Sequence, residues 1–407
     1  MARLVILGIN YAPETTGTAP YTTGLAEHLA AAGHELTVVT GMPHYPSWRI
    51  AARYRGRLTT REERGGVHVI RRAHYVPPVQ SAVRRALYEA TFLVMALAPA
   101  FRVPADAVIG IVPSLSGGIL ARLAASRRRI PYGLLFQDLM GPAAAQSGVA
   151  GGSRVAGTTR WLESWAVGRA RAVAVVSDGF LPYLVGLGVA ESAIHLVPNW
   201  THIAPSTADP ARTRAELGWD DGRQVVLHAG NMGLKQGLGQ IVDAARMAAA
   251  EQRPVRFVLM GDGNQRAALE RAATGLPAIE FMAPVPEARF VDVLAAADVL
   301  LVTERASVVD MSLPSKLTSY ALAGRPIVAA VREDGTTAHE LERSGAALRV
   351  APEDPAALLA VLERLRADRE LAGSLAAVGP AYVEGYLRPD TALERADRFV
   401  AALLEEA

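Results

Sequence analysis

At 407 residues, the chain is long enough for two or three domains with cores of their own. Half the residues are hydrophobic and 20% are charged, a globular balance, and a formal net charge of +2 is too small to suggest nucleic acid as a partner. There is no cysteine, which excludes disulfides and thiolate-held metals and fits a reducing compartment.

In chain order, the start MARLVILGINYAP reads as a first strand and not as a secretory leader, since it lacks a long apolar run and a small-residue cleavage site. The longest apolar stretch, Ala90–Phe101, falls well short of the roughly 20 residues that cross a bilayer. A cytoplasmic protein is expected, at most peripheral to the inner face of a membrane. Leu4–Ile9 forms a strand, Asn10–Thr18 a Pro/Gly/Thr loop, Ala19–Ala32 a helix stopped by Gly33, and Leu36–Thr40 a second strand. This βαβ opening predicts a parallel sheet. No G-x-G-x-x-G follows the first strand, and Thr40-Gly41 stands where a dinucleotide site has an acid, so an oxidoreductase is disfavoured. Gly17 either admits a ligand phosphate or is a plain loop glycine.

Met42–Arg85 reads as irregular and basic, rich in arginine from Arg49 to Arg85. It is a solvated face, or a surface for anionic lipid or an acceptor phosphate. The apolar helix Ser81–Ala98 reads as a core helix before a membrane-dipping one. Strand Ala107–Val112, helix Leu115–Arg127 and strand Tyr132–Phe136 follow. The last strand ends in Gln137-Asp138, at a carboxyl end where open α/β sheets place ligands. Asp138 is a catalytic or acceptor-binding carboxylate, or a helix cap. After the Gly/Ala-rich connection Met140–Gly152 come helix Arg154–Arg169, strand Ala172–Val176, a Ser177-Asp178 cap and strand Ile194–Val197. The polar, breaker-containing Thr201–Gly222 marks the boundary. The division expected is 1–203, 204–385, and a terminal helix within 386–407 that packs back on the first domain.

The second half alternates cleanly. Strands are expected at Val225–His228, Arg256–Met260, Ile279–Phe281, Val299–Thr303, Ile327–Ala330 and Ala347–Val350, with helices between, which is a second doubly wound parallel sheet. Val225–Gly237, VVLHAGNMGLKQG, is a strand, a Gly-rich turn and the start of a helix. Gly230, Gly233 and Gly237 let backbone approach a ligand closely, and a helix N-terminus aimed at the turn favours an anion. The alternative is an ordinary tight connection. Among 42 basic Lys and Arg residues only Lys235 and Lys316 are lysine, and both lie in Gly/Ser-bearing turns ahead of helices. A compact ammonium in place of a guanidinium fork suits a diphosphate there.

Two α/β domains joined by a linker predict a cleft lined by strand carboxyl ends. The candidate groups at such ends are the Gly17 loop, Asp138, the Gly230–Gly237 turn with Asn231 and Lys235, Gly261-Asp262-Gly263, the Ala283–Pro286 turn, and Asp310–Lys316 (DMSLPSK). In the last, hydroxyl, ammonium and helix start can converge on phosphate at Ser315 and Lys316. No D-x-D pair and no cluster with metal-ligand spacing occurs, so no metal or other cofactor is expected to be required.

The stretches GNMGLKQG, GDG and LPSKLTSYALAGRP, in this order and spacing, resemble the C-terminal half of the retaining GT-B glycosyltransferases of family 4. NYAPETTGTAPYTTGLAEHLAAAGHELTVVTGMPHYP and the PNW ending the first domain are similar to the bacterial capsule, colanic-acid and O-antigen branch. The resemblance covers nearly the whole chain. It implies transfer of a sugar from a nucleotide-sugar donor, UDP-linked by the weight of the family, to a sugar or lipid-linked hydroxyl acceptor in polysaccharide, glycolipid or secondary-metabolite synthesis. It further implies that Gly17 approaches the donor phosphates, that Lys235, Ser315 and Lys316 bind the diphosphate, that Met282–Pro284 line the base, and that Asp138 lies near the acceptor. There are two departures. The branch's Asp-Leu-Trp-Pro-Glu reads Asp-Leu-Met-Gly-Pro from Asp138, and the family's paired glutamates fall on Met311 and Ser319. Asp310 can replace the first acid with a one-residue shift, and Ser319 stands where the ribose is normally held. Two rivals are a sugar-nucleotide epimerase, which needs no acceptor, and a sugar-nucleotide-binding protein without turnover.

Overall fold

The computed structural model describes residues 1–79, 81–141, 152–308 and 313–405, with the side chains of 152–155 set aside. Asp310 and Met311, and most of the Gly/Ala-rich connection after Met140, lie outside the described residues.

The chain forms two compact units, one of Met1–Trp200 completed by the last helix, the other within Thr201–Arg388. In the first, β1 (Arg3–Leu7), α1 (Ala19–Ala31) and β2 (Glu35–Gly41) form the opening βαβ unit. Then come β3 (Thr59–Arg64), β4 (Val67–Arg72), α2 (Ala82–Arg102), β5 (Ala107–Val112), α3 (Leu115–Arg128), β6 (Tyr132–Phe136), α4 (Gly152–Val167), β7 (Ala172–Val175), α5 (Leu181–Val185) and β8 (Ile194–Leu196). The sheet order is β3-β4-β2-β1-β5-β6-β7-β8, parallel throughout except for β3 against β4. The order reverses beside β1, which is the kind of point where strand carboxyl ends open onto a ligand crevice.

Two expectations for this unit need correction. Met42–Arg85 is not irregular throughout, because it contains the hairpin β3–β4, turning at Gly65 (φ 56°) and Gly66 (φ 75°). Two positive φ values in a two-residue loop match the twist of the strands they join. The strand TTREER stays polar because it is an exposed sheet edge. Nor does α2 end before Pro99, as it continues to Arg102. It buries Tyr88, Phe92, Ala96 and Ala100 and leaves Val83, Leu87 and Val94 exposed, so it is a core helix on one face only.

The second unit contains α6 (Pro210–Glu216), β9 (Gln224–Ala229), α7 (Gly239–Ala250), β10 (Val255–Met260), α8 (Arg266–Ala272), β11 (Ile279–Met282), α9 (Glu287–Ala296), β12 (Val299–Thr303), α10 (Lys316–Leu322), β13 (Ile327–Ala330), α11 (Thr336–Ser344), β14 (Ala347–Val350), α12 (Pro355–Ala367) and α13 (Arg369–Tyr386). Its sheet runs β11-β10-β9-β12-β13-β14 and is wholly parallel. Central strands such as β9 and β12 are buried at every residue, which is why they read as continuous apolar runs. The last helix, α14 (Pro389–Leu404), belongs to the first unit. It sets Ala396, Phe399, Val400 and Leu403 into the core formed with Leu4, Ile6, Leu36 and Ile109. His28 of α1 binds Asp397 of α14 at 2.9 Å.

Among the described residues no helix is long and apolar enough to cross a membrane.

Candidate active site

In the second unit, the carboxyl ends of β9, β10 and β11 turn into three loops that lean on one another. The N–H of Gly230 donates to Met260 O (2.8 Å), that of Met232 to Asp262 O (2.8 Å), and that of Gly261 to Met282 O (3.1 Å). Glycine is required by this crowding. A Cβ on Gly261 (φ 146°) would stand 1.8 Å from Gly230 O, and one on Gly263 (φ 156°) 2.7 Å from Asn231 Oδ1. After β9 the chain does not pass directly into a helix. Leu234–Gln236 make a short 3-10 turn, Gly237 (φ 57°) redirects the backbone, and α7 starts at Gly239. Lys235 therefore sits in the 3-10 turn, and its Nζ lies 3.7 Å from Glu304 Oε1, just past β12. Glu304 is buried and also accepts from Thr337 Oγ1 at 3.2 Å.

Lys316 begins α10. Its Nζ reaches back to the end of β9, 3.3 Å from His228 Nε2, beside Gly230, where a Cβ would be 3.5 Å from the ammonium. His228 is fully buried, and burial together with the nearby ammonium holds its pKa well below the usual histidine value. Burial, opposed by the charge of Glu304 and aided by that of Lys235, lowers the Lys316 ammonium to about 7. Two lysines thus flank one glycine turn, one braced by a carboxylate and one against a neutral imidazole. That is a pocket of positive potential suited to anionic charge. Tyr320, one helical turn after Lys316, accepts the Ala229 N–H at 2.7 Å and so ties α10 to β9.

The other residues singled out by sequence lie around this centre in different ways. Ser315 is the exposed residue preceding α10 and makes no side-chain cap. Ser319 is buried in α10. Met282 ends β11, and Pro284 is exposed just beyond it. Asn231 is exposed on the turn, its amide tucked over Gly233. Asp310 is outside the described residues.

In the first unit, Gly17 has φ 68°, and a Cβ on it would come within 3.2 Å of the Tyr45 ring. Tyr45 feels the charge of Asp138, which raises its phenol pKa after burial and Glu14. The buried Glu14 carboxylate accepts from the backbone N–H groups of His44 (2.7 Å) and Tyr45 (2.8 Å) and from Asn10 (2.9 Å). The Gly17 loop and the Tyr45 segment thus pack together, and Asp138 follows the carboxyl end of β6. Glu14, His44, Tyr45, His228 and Glu304 were not singled out from sequence. His228 sits inside an apolar strand, and its partner is 88 residues away. Among the described residues no group of three or more His, Asp or Glu is placed to hold a metal ion.

Residues 16–200 match the family Glycosyl transferase 4-like domain, and residues 223–368 match Glycosyl transferases group 1. WcaI of Escherichia coli (strain K12), named for glycosyl transfer in colanic acid biosynthesis, is 33% identical over 88% of this chain and 90% of its own. The chain belongs to the family 4 glycosyltransferases. Solved structures place this glycosyltransferase in the GT-B fold. A sucrose-phosphate synthase from Thermosynechococcus elongatus superposes with TM-score 0.76 over 99% of both chains at 17% identity. HepE of Anabaena, in complex with UDP, gives 0.72 over 98% of this chain and 100% of its own at 15% identity.

Proposed function

We propose that this glycosyltransferase moves a sugar from a UDP-sugar to a hydroxyl acceptor with retention at the anomeric carbon, in the synthesis of a polysaccharide, glycolipid or secondary metabolite. The observation that carries the reading is the pair Lys235 and Lys316 about the Gly230 turn, with Lys316 held against a neutral His228. A diphosphate arriving there supplies the charge that the buried ammonium lacks. In the transfer, the bond from the anomeric carbon to the diphosphate oxygen breaks and the acceptor oxygen bonds on the same face. The acceptor proton leaves on the departing phosphate oxygen. Lys235 and Lys316 stabilise the charge that develops on the diphosphate, an electrostatic effect that needs no reorganisation at the moment of reaction. The reading requires no metal or cofactor. Ser319 is the residue of α10 available to the ribose in place of the family's glutamate, and Asp138 faces the acceptor.

The test is thermal stabilisation by UDP against GDP, TDP and NADH, on the wild type and on Lys316→Ala. UDP at saturation is expected to add on the order of 2–4 kcal/mol to the wild type and little to the variant. No shift with any nucleotide sinks the donor reading. Products formed with and without a sugar acceptor then separate transfer from epimerisation.

The acceptor is proposed to be presented at a membrane surface, because α2 exposes Val83 (80%), Leu87 (47%) and Val94 (65%) beside Arg84. An apolar stripe flanked by arginine suits an anionic interface. Sedimentation with vesicles containing phosphatidylglycerol should retain the wild type and lose Val83→Asp/Leu87→Asp. Equal binding by both proteins removes this surface from consideration.

A further inference from the structure

At the opposite, amino-terminal edge of the second sheet lies a cavity of about 530 Å³ that the transfer reaction does not use. It opens where β9, β12 and β13 begin, against α12 and α13. Five arginines line it, namely Arg214, Arg223, Arg325, Arg366 and Arg369, with one acid, Asp298.

Three of these guanidiniums already have carboxylate partners. Arg214 binds Asp298 at 2.8 Å, Arg223 binds Asp221 at 2.7 Å, and Arg366 binds Glu363 at 2.8 Å. Asp298 is fully engaged, because its second oxygen accepts the Val225 N–H at 2.7 Å. Arg325 and Arg369 make no ion pair or side-chain hydrogen bond among the described residues, although Arg325 is half-buried. Burial lowers the Arg325 guanidinium from its ordinary value, the charge of Asp298 opposes this, and the charge of Arg214 adds to it by less. Both Asp298 oxygens are taken by Arg214 and the Val225 N–H, so the half-buried Arg325 guanidinium keeps donors without an acceptor, and an anion in the cavity supplies one. Gly373 on the α13 wall adds no side-chain bulk.

We infer that this cavity is a second anion site, which takes a small phosphate-bearing molecule of two or more negative charges on Arg325 and Arg369, apart from the donor site. The inference does not depend on the donor reading. Its placement suggests a consequence for the enzyme. Arg325 follows α10 by a single turn, Ala323-Gly324, and α10 carries Lys316 at its other end. An anion held by Arg325 therefore anchors the segment from which Lys316 extends.

The probe is pyrophosphate, titrated calorimetrically at constant ionic strength against the wild type, Lys316→Ala, Lys316→Ala/Arg325→Ala and Lys316→Ala/Arg369→Ala. Lys316→Ala removes the proposed donor contact and is expected still to bind one pyrophosphate per chain. Adding either arginine change should weaken that binding by about tenfold or more, the loss of a charge-assisted contact. Arg369 is exposed at the first turn of α13, so its variant keeps the test readable if Arg325→Ala does not fold. The inference is overturned if Lys316→Ala binds no pyrophosphate, or if Arg369→Ala leaves the affinity unchanged in that background. Failure of the donor reading looks different. There Lys316→Ala matches the wild type in both stoichiometry and affinity, while the arginine variants still lose binding.

Discussion

A buried ammonium with a neutral imidazole for a neighbour holds its proton weakly, and that makes Lys316 a reporter of its own ligand. Its pKa falls from 10.5 to about 7. Between about pH 7 and pH 10.5 the unfolded chain therefore carries a proton that the folded apo-protein lacks, so this group's contribution to stability rises with pH across that window. A diphosphate on Lys316 favours the charged form and reverses the balance. UDP binding near pH 8 is accordingly expected to take up about one proton per chain, and UDP affinity should fall as pH rises above 7. Calorimetry in buffers of different ionisation enthalpy reads the proton directly, and Lys316→Ala should abolish it. Binding with no proton uptake in the wild type would show that the diphosphate does not rest on Lys316. The sequence singled out the two lysines because they stand alone among arginines. It did not reveal their partners, since a histidine in VVLHA looks like any core residue until α10 is folded over it.

Elements differ in how plainly the chain declares them. Buried parallel strands such as Val299–Thr303 and Ile327–Ala330 were readable residue for residue, because a strand covered on both sides is a short apolar run between breakers. The edge hairpin was not, because TTREER has no apolar face, and its strongest signal was the Gly65-Gly66 pair before VHVI. The interlocked turns after β9 and β10 were legible as glycine positions but not as mutual contacts. Their packing makes a sharp prediction. Gly261→Ala places a Cβ 1.8 Å from Gly230 O at φ 146°, whereas Gly275→Ala meets nothing within 4 Å at φ 78°. Backbone strain alone costs about 1–3 kcal/mol, which is the expected loss for Gly275→Ala. Gly261→Ala should lose clearly more and should also lose UDP-dependent stabilisation. Equal denaturant midpoints for the two variants would mean that the turns do not brace one another.

At the scale of the whole molecule, the chain crosses its own domain boundary at the end: α14, last in sequence, completes the core laid down by β1, β2 and β5. The amphipathic repeat Ala396, Phe399, Val400, Leu403 gives the helix one apolar stripe, which needs a partner face to cover it. The contact that holds it is specific. Gly133 in β6 is open to the Phe399 ring, and a Cβ there would stand 2.7 Å from Phe399 Cζ. Phe399→Ala removes a fully buried ring and is expected to cost about 3–5 kcal/mol. The readout is tryptophan fluorescence during denaturant unfolding, since Trp200 packs with Tyr21 of α1 and Ala392 of α14. Gly133→Ala alone should also destabilise the protein, by driving the ring out of place. Combined, the two changes should cost less than the sum of the singles, because truncating Phe399 leaves room for the new methyl. Residues in direct contact commonly couple by about 0.5–3 kcal/mol in such a cycle. Strict additivity would place Phe399 away from Gly133 and would deny α14 its seat on the first sheet.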